Sequence, residues 1–296
     1  MKWFSVRAAL LGSTVALASL PAAAQEVKVT NQGITPTEIV LGTHQDLSGP
    51  IKSWGVPVTN GMKMAVEEIN AKGGILGKKI KFEVADTASD PGKARAAVQR
   101  ALDEKPIAIL GPVFSGSVSA TLKLTAEAEV PQIMGGEAGP LTTQGSKYLF
   151  RTSFGQQSSM PKIANYLRDG VKAKSVAVVF VNNDFGKSGL NTIKKLLEGS
   201  PTKIAAEVST DQGQVDFSAA VLKAKQSGAD AMFAYVNEEE SARLLRELRK
   251  QGWDKPIIGE TTLAMLYVPL FFYIFDRLHS RREEKKEGKK EAGEPL

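Results

Sequence analysis

"GMKMAVEEINAKGGILGKKIKFEVA", residues 61–85, holds a helix, a turn and a strand in one line. Met62, Ala65, Val66 and Ile69 recur at i, i+3, i+4 and i+7, the spacing of one helix face. Gly73 and Gly74 follow where a helix C-terminal cap belongs. "KIKFEVA" (79–85) then reads as a strand. Outward from this stretch the same rhythm continues, with strands predicted at 38–42, 107–110, 130–134, 175–181, 203–208, 230–236 and 256–259. Several of these are continuous apolar runs, as in "SVAVVFV" (175–181), and such runs suit strands covered on both faces of a parallel sheet. "DFSAAVLKAKQSG" opens with Asp216 as a candidate cap and closes at Gly228, and "EEESARLLRELRKQG" (238–252) places acids first and bases last, matching the helix dipole. Strands alternating with helices predict an open, mostly parallel α/β architecture. The polar stretch "RTSFGQQSSMP" (151–161) is the candidate crossing between two such domains.

The chain of 296 residues has no cysteine, which excludes disulfides, thiolate metal sites and a cysteine nucleophile. Residues 1–24 read as an export signal: Lys2 and Arg7 lead an apolar segment, and "PAAAQ" offers cleavage after Ala24. The formal charge of +6 falls to about +3 once these two cations and the small excess of the 276–296 tail are set aside. No basic stripe is interleaved with aromatics, so a nucleic-acid partner is not expected.

Two phosphate-loop-like strings fail on spacing. "FGKSG" (185–189) has Val181 where a glycine is required, and "GGILGKK" (73–79) has no hydroxyl residue after its lysine. There is no G-x-S-x-G, and of the two histidines only His44 lies ahead of the charged tail, so neither an enzyme nor a metal or other cofactor is expected. "AILGPVFSGSVSATLKL" (108–124) is more informative. A strand ends at Leu110 and a helix begins near Ser115, Gly116 and Ser117. Free amides at a helix start, with two hydroxyls, suit a carboxylate at the carboxyl end of a sheet. Ser117 as a simple helix cap explains the same residues.

"DLSGP", "AVEEINAKGGILGKKI" with the "SDP" that follows, "AILGPVFSGS", "YLFRTSF", "VAVVFVNNDFGKSG" and "DFSAAVLKAKQSGADAMFAY" resemble, in order and spacing, the leucine/isoleucine/valine-type periplasmic binding proteins, the type I solute receptors of branched-chain amino-acid ABC importers. The resemblance runs from about 37 to 260. It implies two doubly wound parallel-sheet lobes, 25–148 and 149–260, closing over a small solute such as a branched-chain amino acid. It also implies an inner-membrane ABC permease as partner and the periplasm as location. Carried over by position, Ser115, Gly116 and Ser117 take the ligand carboxylate. Gly136 and Glu137 lie where the family offers small residues and a hydroxyl, so Glu137 is a departure. Phe185 stands at an aromatic position without its phenol, Asn237 or Glu238 falls near a family tyrosine, and Glu260 meets the ammonium group. His44 and Trp54 are candidates for the pocket wall or for packing.

The resemblance stops near 260, where family members continue for about a hundred residues, so both lobes are expected to be incomplete. "TLAMLYVPLFFYIFDRL" instead resembles the end of the last transmembrane helix of resistance-nodulation-division efflux pumps. As a helix, 261–278 reaches roughly 27 Å against a hydrocarbon layer of about 30 Å, and the arginines and lysines beyond suit a cytoplasmic exit. A buried core element explains the run as well. Residues 279–296 read as a charged disordered tail. A membrane-tethered or non-functional fusion is the alternative to a free receptor.

Overall fold

The computed structural model describes residues 32–263. The expected export signal over 1–24, the apolar run beyond Leu263 and the charged stretch 279–296 lie outside the described residues. Of the expected 261–278 helix, only the helical turn at 261–263 is within them. Among the described residues no helix is long and apolar enough to cross a membrane.

Two parallel sheets carry the chain, each flanked by helices. The first has the order β2-β1-β3-β4-β5 and the second β7-β6-β8-β9. The first half comprises β1 (Glu38–Gln45), α1 (Lys52–Ala71), β2 (Lys79–Asp86), α2 (Pro91–Asp103), β3 (Ala108–Leu110), α3 (Ser115–Glu127), β4 (Gln132–Met134) and β5 (Leu149–Arg151). The second comprises α4 (Gln156–Asn165), β6 (Ser175–Val181), α5 (Asp184–Leu197), β7 (Lys203–Thr210), α6 (Ser218–Gln226), β8 (Ala231–Tyr235), α7 (Glu238–Lys250) and β9 (Ile257–Gly259). Every strand pairing between named strands is parallel. The expected α/β class with parallel sheets is what forms.

Local chemistry explains the element ends. Asp90 caps α2 by accepting from Lys93 N at 2.7 Å, with Pro91 supplying a preset φ in the first turn. Asn183 caps α5 through Gly186 N at 3.0 Å. Gly73 and Gly74 take positive φ after α1, as expected. Val176 to Val181 of β6 are all buried, so the continuous apolar run is a central strand covered on both faces.

Two elements depart from expectation. The first helix begins at Lys52, well before the periodic stretch at Gly61, and runs through Pro57. Its first turns hold Gly55 because a Cβ there would meet Asp46 O at 2.0 Å, so close approach to the end of β1 outweighs helix propensity. The short strand β5 was not expected. It pairs with β4 through Gln132↔Leu149 to Met134↔Arg151, so the first sheet extends to Arg151, three residues past the anticipated lobe boundary at 148.

The crossing segment is tied to both halves by one side chain. Gln156, fully buried, accepts from Gly139 N at 3.0 Å and Ser188 Oγ at 2.5 Å. Its Nε2 donates to Phe185 O at 3.0 Å and Tyr235 Oη at 2.8 Å.

Candidate functional site

A cavity of about 410 Å3 lies between the two halves. It is framed by the carboxyl ends of four strands of the first sheet, with Gln45, Leu110, Met134 and Thr152 among its lining. This is where open α/β sheets present their loops and helix starts. Trp54 and Val58 of α1 close one side. Phe185, Asn237, Glu238 and Thr262 close the other from the second half.

The start of α3 reaches the wall through Phe114 and Ser115. Asp46, fully buried, orients it: Oδ2 accepts from Phe114 N at 3.3 Å while Oδ1 accepts from Thr87 Oγ1 at 2.6 Å. Burial raises the Asp46 carboxyl above its ordinary pKa, and these hydrogen bonds oppose the rise. Ser115, Gly116 and Ser117 form the first turn, whose N–H groups have no intrahelical acceptor. Ser115 Oγ accepts from Ala138 N at 3.1 Å, bracing the 135–138 segment. Ser117 does not cap the helix. The N-cap is Phe114, and the Ser117 hydroxyl is buried without a partner.

The cavity wall also carries buried acids. Glu137 Oε2 and Glu238 Oε2 are buried without partners. Thr261 Oγ1 lies 2.8 Å from Glu260 Oε2 and 3.4 Å from Glu137 Oε1, linking the two carboxyls. Burial first, then the neighbouring Glu260 carboxyl, holds Glu137 well above the usual carboxylate range. Burial pushes Glu238 up to about 8, with the charges of Glu240 and Glu239 adding to it. Burial also pushes the Tyr235 phenol up, helped by the charges of Glu260 and Glu137.

Phe185 stacks on Tyr235 with ring centroids 4.2 Å apart, and Gly189 makes room for that ring, since a Cβ there would meet Tyr235 Cε1 at 2.1 Å. Asn237 begins α7, where Glu240 folds back to accept from Asn237 N at 3.1 Å and Nδ2 at 2.8 Å. The glycines of the "FGKSG" string thus serve helix capping and ring packing.

Of the residues singled out from sequence, the structure brings Ser115, Glu137, Phe185, Asn237, Glu238 and Trp54 to the cavity wall. Gly116, Ser117 and Gly136 are buried just behind it, and Glu260 backs Glu137. His44 lies elsewhere. It is fully buried, neither ring nitrogen has a partner, and desolvation pulls its pKa down to about 3. Its strand neighbour Gly42 faces Ala101 of α2, and His44 shares that face, away from the cavity that Gln45 lines. Gln45, Thr152, Ser153 and Thr262 were missed. The polar stretch "THQD" (43–46), which ends β1 and continues one residue past it, is buried throughout and was the available signal for Gln45. Among the described residues no cluster of three or more histidine, aspartate or glutamate side chains is arranged to hold a metal ion.

Residues 38–266 match the family model described as periplasmic binding protein. The Leu/Ile/Val-binding protein BraC3 of Rhizobium johnstonii is 31% identical over 229 residues, covering 77% of this chain and 62% of that protein. The leucine-specific-binding protein of Salmonella typhimurium is 27% identical over 230 residues, with the same coverage. The chain thus spans 62% of the length of these curated relatives. Among solved structures, the branched-chain amino acid transporter substrate binding protein LivJ from Streptococcus pneumoniae, in complex with isoleucine, is 30% identical with a TM-score of 0.68. That match covers 75% of this chain and 64% of that one.

Proposed function

The chain belongs to the periplasmic binding protein family, and from that premise we propose that it is the solute-binding component of an ABC importer. It captures a branched-chain amino acid, or a related small amino acid, between its two halves in the periplasm. It then presents the solute to an inner-membrane permease. The observation that carries this reading is the cavity itself. An apolar body such as a leucine side chain fits among Trp54, Val58, Met134 and Phe185, the unpaired amides at the start of α3 suit its carboxylate, and the Glu137–Glu260 and Glu238 carboxyls suit its ammonium. The relatives named Leu/Ile/Val-binding and the isoleucine-bound neighbour support the same solute class.

A thermal melt of the full chain, alone and with millimolar leucine, isoleucine, valine and phenylalanine, tests this. A solute that binds only the folded state at a hundredfold excess over its dissociation constant stabilises it by about 2.7 kcal/mol. The expected outcome is an upward shift with at least one aliphatic amino acid. A cooperative melt that none of them moves rejects the reading.

A further inference from the structure

Parallel sheets stand almost only where both faces are covered. Among the described residues, one face of the first sheet is covered by two helices and the other only in part by one. Gly42, Ile109, Gln132 and Leu149 stand side by side across β1, β3, β4 and β5, and all four are buried. The helices α2 and α3 lie over them: a Cβ at Gly42 would meet the Ala101 side chain of α2, and Val118 of α3 packs with Met134 and Leu149. On the other face the neighbouring row is Leu110, Ile133 and Phe150. Leu110 and Ile133 are only partly buried, and Phe150 is 53% exposed. The helix on that side is α1, whose Val58 and Met62 share the cavity wall with Leu110 and Ile133. Beyond its reach Phe150, Thr152 and Phe154 follow one another as exposed alternate residues.

The chain leaves the described residues beside this open face. Thr262 lines the same cavity as Leu110, Ile133 and Thr152, and Thr261 Oγ1 lies 3.4 Å from Glu137 Oε1 in the loop after β4. Thr262 and Leu263 are buried, Leu263 against Gly259. These contacts hold 261–263 in the fold, so a membrane span would have to begin at 264. "AMLYVPLFFYIF" (264–275) is twelve residues without a charge, ended by Asp276 and Arg277. As a helix it reaches about 18 Å against about 30 Å of hydrocarbon. An apolar run of that length has the size of a buried core element.

We propose that residues 264–275 turn back onto the first half and cover the open row at Leu110, Ile133 and Phe150. The run is then part of the fold rather than an anchor, and its near end becomes a further wall of the cavity. This goes beyond the receptor reading and does not depend on which solute the cavity takes. An apolar strip and an apolar segment of one chain remove each other from water without the loss of translational freedom that association with a second molecule costs.

Because the chain has no cysteine, paired cysteines test this directly. Full-length chains carry Phe150→Cys together with Met265→Cys, Val268→Cys, Phe271→Cys or Ile274→Cys. The rate of disulfide formation under mild oxidation is followed by non-reducing electrophoresis and mass spectrometry. Leu76→Cys, at a 95% exposed site in the turn before β2, replaces Phe150→Cys as the control. A disulfide requires the two Cα atoms to come within about 7 Å, so at least one Phe150 pair should close within the monomer about tenfold faster than its Leu76 counterpart, or more. Thr152→Cys, exposed on the same face, takes the place of Phe150→Cys if that variant does not melt cooperatively. No pair closing above the control rate overturns the proposal. A disulfide found only between two chains overturns it as well, making a second copy the cover. Recovery of the chain in a carbonate-resistant membrane fraction also overturns it, making the run an anchor. The thermal shift with solutes tests the receptor reading separately from all three.

Discussion

The two halves use their interiors differently. In the second half, one continuous apolar cluster runs from Met160 through β6 and β8 to Leu244, Leu248 and Trp253. In the first half, the comparable cluster among the described residues is Val118, Met134, Ala138, Leu141 and Leu149. Much of the remaining buried volume there is polar: Thr43, His44, Gln45, Asp46, Thr87, Ser89, Thr121, Thr125 and Gln132. These groups sit largely at the carboxyl ends of strands, and many hydrogen-bond one another, as Gln132 does with Thr121 and Thr125 at 3.0 Å each. The difference teaches a division of labour. The second half is built on one continuous apolar cluster, whereas the first intersperses its buried apolar side chains with polar groups near a cavity.

Matched deletions test that contrast most severely. Leu244 and Leu141 are both essentially fully buried, one in each cluster. Leu244→Ala is expected to cost about 4 kcal/mol because its surroundings cannot collapse into the space, and Leu141→Ala about 2–3 kcal/mol. Urea unfolding of both variants measures this. Equal costs would mean that the polar interior of the first half is as tightly held as the apolar one.

The next effect is one of acidity, and it belongs to the first half. His44 is buried neutral with its folded pKa lowered from 6.5 to about 3, so the unfolded chain takes up a proton that the folded chain refuses. Its stability contribution is therefore complete above pH 6.5 and declines as pH falls from there towards 3, by about 1.4 kcal/mol per pH unit. Glu238 works in the opposite sense. Its folded pKa of about 8 favours the folded state below pH 4.5, and that advantage is lost as pH rises through 8. The difference between wild type and His44→Leu isolates the histidine. Between pH 6.5 and 4.5 the wild type should lose about 2–3 kcal/mol relative to the variant, read from urea midpoints at each pH. Parallel pH profiles would show that His44 finds a partner in solution.

The same contrast explains which parts were legible in the sequence. Val176–Val181 and Ala231–Tyr235 could be read as strands because a strand covered on both faces must be apolar throughout. By comparison β5 is three residues at a sheet edge with Phe150 half exposed, too short for any periodic signal. The early turns of α1 were hidden because Gly55 and Pro57 speak against a helix, and only the backbone of Asp46, remote in sequence, explains the glycine. At the site, Ser115, Glu137, Phe185 and Glu238 were legible from their place in matching motifs. Gln156, which joins four groups from both halves, was not, because a glutamine in a polar crossing segment looks the same whether it is solvated or central.

The smallest effect lies at the rim of the cleft, where Lys52 of α1 meets Glu239 of α7 at 3.3 Å, the one ion pair between the halves among the described residues. Both side chains are well exposed, and Glu239 also pairs with Arg243 at 3.3 Å. An exposed pair of this kind contributes about 0.5 kcal/mol, because ordering two long side chains in water offsets most of the Coulomb gain. Lys52→Ala should therefore shift the urea midpoint by no more than that amount, weaken binding of any solute less than about threefold, and lose both effects in 1 M salt, where the screening length is about 3 Å. Gln156, buried and making four hydrogen bonds, would then contribute more to holding the halves together than the rim pair does. A loss of more than about 2 kcal/mol in Lys52→Ala, persisting in high salt, would reverse that order.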